Sequence, residues 1–214
     1  KILKKTIIAY GLGFARDNYT ALHDYLLTQG YTKDEMLSAG LVVLREDKLY
    51  DKFRNRVMFP IIDLRGNIIG FGGRIMGEAK TPGGFKLPKY LNTAETPVFN
   101  KGKNLFSLNL AKKSSPVSII LVEGYMDVVS LHQRGIENVV ASCGTALTEA
   151  QGRLIRRYAN KIIIGYDSDG AGQVATMRGL EILQNLGYDV RILQLDDPNV
   201  KDPDEYVLKN GSGR

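Results

Sequence analysis

Ser118-Ile119-Ile120-Leu121-Val122-Glu123-Gly124-Tyr125-Met126-Asp127-Val128-Val129-Ser130-Leu131-His132-Gln133-Arg134-Gly135 is the stretch on which the fold reading turns. It starts with a short, largely apolar run, the pattern of a strand buried on both faces. From Met126 to Arg134 the apolar residues change to helical spacing, and Gly135 supplies the stop. The same alternation repeats downstream. Asn138 to Ser142 reads as the next strand, and Thr148 with Gln151 three residues later forms the signature of a capping box opening a second helix. Lys161 to Tyr166 reads as a third strand, Gly172 to Leu186 as a third helix ended by Gly187, and Asp189 to Leu195 as a fourth strand. A βαβαβαβ order predicts an α/β fold with a mostly parallel sheet covered by helices.

Upstream of Pro116 the pattern is less regular. Tyr19 to Gln29 and Lys33 to Ala39 read as helices stopped by Gly30 and Gly40. Residues 41 to 74 read as strands and tight turns, with a hairpin around Arg65-Gly66-Asn67. Ala79 to Pro88, rich in Gly and Pro and without hydrophobic period, reads as a mobile loop. The boundary is expected at Lys112-Lys113-Ser114-Ser115-Pro116, which gives a smaller mixed α+β subdomain at 1–115 and a catalytic subdomain at 116–214.

The charge divides along the same line. The 214 residues carry a net +6. Residues 1–115 hold 19 Lys+Arg against 10 Asp+Glu, a balance of +9, whereas 116–214 hold 10 against 13, a balance of −3. A basic half beside an acidic half suits a polyanion-binding surface next to a divalent-cation site. The single cysteine, Cys143, excludes an intrachain disulfide framework and a cysteine-based zinc site, and fits a reducing cytoplasm. No apolar run approaches the roughly 20 residues that span a bilayer, so no membrane association is expected.

The chemistry-bearing residues fall after predicted strands. Glu123 follows the first and Asp167 the third, and the carboxyl ends of strands are where an open parallel sheet binds ligands. Asp167 and Asp169, two apart, face the same side of an extended segment and can share a hard cation. Asp202 and Asp204 repeat the spacing, and Pro203 biases Asp202 toward extended backbone, so they form a candidate second edge for Mg²⁺ or Mn²⁺. So many carboxylates together are best accounted for by a bound divalent cation. The Asp167–Gly170 segment lacks the remainder of a twelve-residue calcium loop. Gly70-Phe71-Gly72-Gly73 fits neither a dinucleotide fingerprint nor a P-loop. Its glycines are read as room for close strand packing. His23 and His132 lie on predicted helices without a metal-spaced partner and are read as structural.

Glu123-Gly124-Tyr125-Met126-Asp127, Gly144-Thr145-Ala146-Leu147 and Asp167-Ser168-Asp169-Gly170-Ala171-Gly172 together resemble the Toprim domain. Arg54-Asn55-Arg56-Val57-Met58-Phe59-Pro60, Gly70-Phe71-Gly72-Gly73-Arg74, Pro88-Lys89-Tyr90-Leu91-Asn92 and Phe99-Asn100-Lys101-Gly102 are similar to consecutive motifs of the RNA-polymerase domain of bacterial DnaG-type primases. The resemblance covers most of residues 54–204. It implies synthesis of short RNA primers on single-stranded DNA from ribonucleoside triphosphates, with Mg²⁺ or Mn²⁺ as cofactor. It assigns Glu123, Asp167 and Asp169 to catalysis, those three with Asp202 and Asp204 to metal, and Arg56, Arg74, Lys89, Tyr90, Asn92 and Lys101 to nucleotide or template. It also implies a zinc-binding domain and a helicase-docking C-terminal domain outside this sequence, a replicative helicase as partner, and a monomer. Two alternatives stay open. One is a Toprim nuclease or topoisomerase fragment, although no tyrosine here has a recognisable nucleophile setting. The other is a non-catalytic nucleic-acid-binding module.

Overall fold

The computed structural model describes residues 2–77, 87–194, 200 and 203–210; within 203–210 the described side chains are Glu205, Tyr206, Val207 and Lys209. The expected mobile loop at Ala79 to Pro88 lies almost wholly outside the described residues. The described elements run in the order α1 (Lys4–Tyr10), β1 (Gly13–Ala15), α2 (Ala21–Thr28), α3 (Lys33–Ser38), β2 (Val42–Arg45), β3 (Lys48–Asp51), β4 (Arg56–Ile62), β5 (Ile68–Ile75) and β6 (Tyr90–Asn92). A 3₁₀ turn at Lys101–Lys103 precedes β7 (Leu105–Phe106), α4 (Leu108–Ala111) and a second 3₁₀ turn at Lys112–Ser114. Then follow β8 (Ser118–Val122), α5 (Tyr125–Gln133), β9 (Val139–Ser142), α6 (Glu149–Ile155), β10 (Lys161–Ile164), α7 (Gly170–Asn185), β11 (Asp189–Ile192) and α8 (Pro203–Asn210).

Two compact units result, one of Lys1–Thr6, Ile62–Asn67 and Lys101–Arg214, the other of Ile7–Ile61 and Ile68–Asn100. The first is built on a five-stranded sheet in the order β11-β10-β8-β9-β7. Its first four strands pair in parallel. The exception is β7, too short to carry a period in sequence, which lies antiparallel to β9. Ile119, Leu121, Val140, Ile162, Ile164 and Leu183 form the centre of the core, as continuous apolar strands require when helices cover them. Helix α5 starts at Tyr125, one residue ahead of the Met126 expected, and α6 starts directly after Thr148 as expected. At α6 the Thr148–Gln151 capping box is formed in both directions.

The second unit holds a four-stranded sheet in the order β1-β4-β5-β6 and a separate hairpin of β2 and β3. The turn at 63–67 joins two neighbouring strands, as the hairpin reading required. Asp63 Oδ1 accepts the amide protons of Arg65 and Asn67, each at 2.8 Å. The glycines of β5 make room for rings. A Cβ on Gly73 would lie 2.8 Å from Phe53, and one on Gly70 would lie 3.2 Å from Phe99. Asp51, buried in β3, caps α2 across the fold by accepting the Leu22 and His23 amide protons at 2.7 and 2.9 Å.

Candidate active site

Strands β8 and β10 pair in parallel with Leu121 opposite Ile164, so their carboxyl ends lie side by side. That register delivers Glu123 to the segment that follows β10. Glu123 Oε1 accepts the Asp167 amide proton at 3.3 Å, a side-chain bond between residues 44 apart in sequence. Asp169 closes the segment with extended backbone and caps α7, its Oδ1 accepting the Gly172 amide proton at 2.8 Å. The positive end of a 16-residue helix thus meets the acidic cluster and steadies its charge.

Two residues unmarked by the sequence reading complete this corner. Gly172 is the third residue of α7, and a Cβ there would lie 2.1 Å from the Asp167 carbonyl oxygen and 3.0 Å from Glu123 Oε1. Only glycine fits without displacing one of them. Tyr166 lies beneath, where burial first and the Glu123 charge second push its phenol pKa far up, so it stays protonated and neutral. The glycine was visible within the Gly170-Ala171-Gly172 run, but its contact with the Asp167 carbonyl is a tertiary fact. Asp127 is committed elsewhere, accepting the Gly124 amide proton at 3.1 Å where α5 begins.

Asp204 is placed differently from the extended edge expected of it. Pro203 opens α8, a position that suits its fixed φ, so Asp204 sits in the first turn of a helix. Asp202 and the Asp204 side chain lie outside the described residues. Among the described residues no three His, Cys, Asp or Glu side chains converge as a ready ligand set. The donor chemistry nevertheless fits a hard divalent cation. Glu123 and Asp169 are exposed and Asp167 half-buried, and all three offer carboxylate oxygens at one strand edge.

The basic candidates gather on the other unit's sheet. Arg74 pairs with Tyr90 and Gly72 with Asn92 on the β5–β6 ladder, and exposed Lys89 precedes β6 with its carbonyl accepting the Ile75 amide proton at 2.9 Å. Arg56 is different in kind. It is 3% exposed, and its guanidinium donates to the carbonyls of Gly73 at 2.9 Å, Pro88 at 3.0 Å and Lys89 at 3.4 Å. Burial, with Arg54 nearby, lowers its pKa. The side chain expected on a phosphate is spent on tying β4 to β5 and to the lead into β6. Lys101 belongs to the unit that carries the acids, on the Lys101–Lys103 turn.

A family model described as the DNA primase catalytic core, N-terminal domain, matches residues 1–112, more than half of the chain. The chain belongs to the DNA primase catalytic-core family. A second, Toprim-like model matches residues 120–207 of this primase-family chain. It is 51% identical over 211 residues to the DNA primase of Clostridium acetobutylicum, an alignment covering 98% of this chain and 34% of that protein. The Escherichia coli primase catalytic core has the same fold, with a TM-score of 0.88 at 38% identity over 99% of this chain and 66% of that one. The DnaG primase catalytic domain bound to single-stranded DNA gives 0.85 at 39% identity over 98% and 65%. The chain spans about a third of the length of the curated primases it matches. These matches do not favour the nuclease, topoisomerase or binding-module alternatives. Among the described residues no helix is long and apolar enough to cross a membrane.

Proposed function

We propose that this chain is the catalytic core of a primase that joins ribonucleotides into short RNA primers on single-stranded DNA. The observation that carries the proposal is the bond from Asp167 N to Glu123 Oε1, which unites acids from two parallel strands at one carboxyl edge in a chain of this family. A bound Mg²⁺ or Mn²⁺ would supply charge neutralisation for the nucleotide phosphates and the departing pyrophosphate. Glu123, Asp167 and Asp169 would hold it, joined by Asp202 and Asp204.

The protein's own groups do the rest. Glu123, fixed through one oxygen, keeps the other oriented toward metal or a 3′-hydroxyl proton. Arg74, Lys89 and Lys101 bind the triphosphate and template phosphates, and Tyr90 and Asn92 meet the base and sugar. Arg56 acts from below, holding the carbonyls of Pro88 and Lys89 so that Lys89 and Tyr90 keep their places. On this reading the partners are single-stranded DNA, ribonucleoside triphosphates, the growing RNA primer and, through a C-terminal domain, the replicative helicase. The protein works as a cytoplasmic monomer, with 1–115 serving the template and 116–214 the metal.

The protein incubated with single-stranded DNA, labelled ribonucleotides and Mg²⁺ or Mn²⁺ should yield di- and oligoribonucleotides. Glu123→Gln and Asp167→Asn should each lower the rate at least about 100-fold, as loss of a group acting in the transition state does, with DNA binding retained. Cleavage of the DNA without any dinucleotide, or full activity in E123Q, overturns the proposal.

A further inference from the structure

The Lys101-Gly102-Lys103 turn carries a nucleotide-contact candidate on a single turn of 3₁₀ helix. Such a turn has few internal hydrogen bonds, so its carbonyls need outside partners to stay in place. One helix start supplies three of them. Thr148 Oγ1 donates to the Gly102 carbonyl at 2.6 Å. Gln151 Nε2 donates to the Lys101 and Asn104 carbonyls, each at 2.9 Å. Gln151 is 0% exposed, and its Oε1 accepts the Thr148 amide proton at 3.0 Å. The Gln151 amide proton goes to Thr148 Oγ1 at 3.1 Å.

The chain contains a second capping box that shows what such a box needs for capping alone. At α3, Thr32 and Glu35 are exposed, and their side chains bond each other and each other's backbone amides. The box at α6 instead buries its second member and aims both amide hydrogens at a segment about 50 positions earlier. A glutamate, the alternative at this position of the motif, has no hydrogen to give two carbonyls, which accounts for a glutamine here.

We propose that Thr148 and Gln151 are positioning residues for Lys101. Together they clasp the 101–104 segment to the first turn of α6, so that the Lys101 ammonium meets the triphosphate of an incoming ribonucleotide in one place. This inference rests on the primase reading above and adds to it a determinant of nucleotide affinity outside the acidic and basic motifs. A loosened turn leaves the acids and their metal site intact while the lysine loses its fixed position, so the effect falls on nucleotide KM.

The test compares wild type, Q151M, K101A, the Q151M/K101A double variant and, as a control on the exposed box, E35M. KM for the ribonucleotide, kcat, Tm and single-stranded DNA affinity are measured for each. Q151M should raise KM about tenfold with kcat within about twofold of wild type and DNA affinity unchanged, while E35M leaves KM unchanged. In the K101A background, Q151M should add less than about twofold, because both act through the same lysine. Gln151→Asn, whose shorter amide reaches fewer carbonyls, takes the place of Q151M if that variant does not fold, with the same split expected. Wild-type protein without primer product overturns the primase reading itself. Active wild type in which Q151M leaves KM unchanged, lowers only kcat, or multiplies KM equally with and without Lys101 overturns the clasp alone.

Discussion

Replacing Gly172 by alanine tests how tightly the acidic corner is built. The added Cβ would stand 2.1 Å from the Asp167 carbonyl oxygen, 2.9 Å from its carbon and 3.0 Å from Glu123 Oε1. Ordinary contact begins near 3.4 Å, so the 167 carbonyl and the start of α7 must separate by more than 1 Å. The atom in the way is backbone, which cannot swing aside as a side-chain end does. Overpacking of this kind costs about 1–3 kcal/mol, offset in part by the gain of up to about 1 kcal/mol when alanine replaces glycine in a helix. A net loss of about 1–2 kcal/mol lowers Tm by roughly 2–8 °C in a domain of this size. Activity should fall much further, because moving the 167 backbone disturbs its bond to Glu123, and a misplacement of about 1 Å costs roughly 100-fold. Gly170→Ala is the matched control, since a Cβ there meets nothing within 4 Å. Ribonucleotide incorporation and thermal denaturation on both variants give the answer. G172A with activity within about threefold of wild type and an unlowered Tm would refute the reasoning.

Three further outcomes follow from other parts of the molecule. Arg56→Lys cannot bridge the three carbonyls of Gly73, Pro88 and Lys89, and should cost about 2–3 kcal/mol in urea unfolding while lowering activity through displaced Lys89 and Tyr90. Asp51→Ala removes the distant cap of α2 and should destabilise by about 1–2 kcal/mol in the same assay without altering kcat. Burial pushes the Cys143 thiol from 9.0 up to about 12, so below pH 9 it is protonated in both folded and unfolded chains. Between pH 9 and 12 only the unfolded chain gives up this proton, and stability should fall by up to about 1.4 kcal/mol per pH unit, a slope that Cys143→Ala reduces. The same burial leaves the thiol unreactive to alkylation at pH 8 until the protein is denatured.

The parallel sheet was readable because Ile119–Val122 and Ile162–Ile164 are apolar runs too short for helices, separated by segments of helical period and glycine stops. The acidic pair Glu123 and Asp167 was readable for the same reason, since a residue after such a strand has one place to go. What escaped was set by contacts distant in sequence. Leu105–Phe106 is a strand only because Ser142 and Ala141 lie opposite. The β2–β3 hairpin turns on Glu46 and Asp47, both at positive φ without a glycine to announce them. Arg56 looked like a phosphate ligand because nothing local shows that three carbonyls surround it. Thr148 and Gln151 were legible as a cap, and their grip on the 101–104 segment was not. Asp204, read as part of an extended edge, was taken into α8 by the proline beside it.

The two-residue strand β7 has a bearing on how the protein behaves at high concentration. Val139 to Cys143 is uncharged, buried along its whole length and without proline, the composition of a segment that recruits copies of itself when its edge is open. The far edge of the sheet, β11, is guarded by Asp189 and Arg191. β9 has no charge of its own and depends on Leu105 and Phe106 to occupy its unpaired backbone, with Lys101, Lys103, Lys112 and Lys113 flanking them as gatekeepers. Those two residues directly follow the clasped 101–104 segment. The hydrogen bonds from Thr148 and Gln151 to that segment therefore also help keep this edge closed, and loosening them should raise precipitation at high protein concentration.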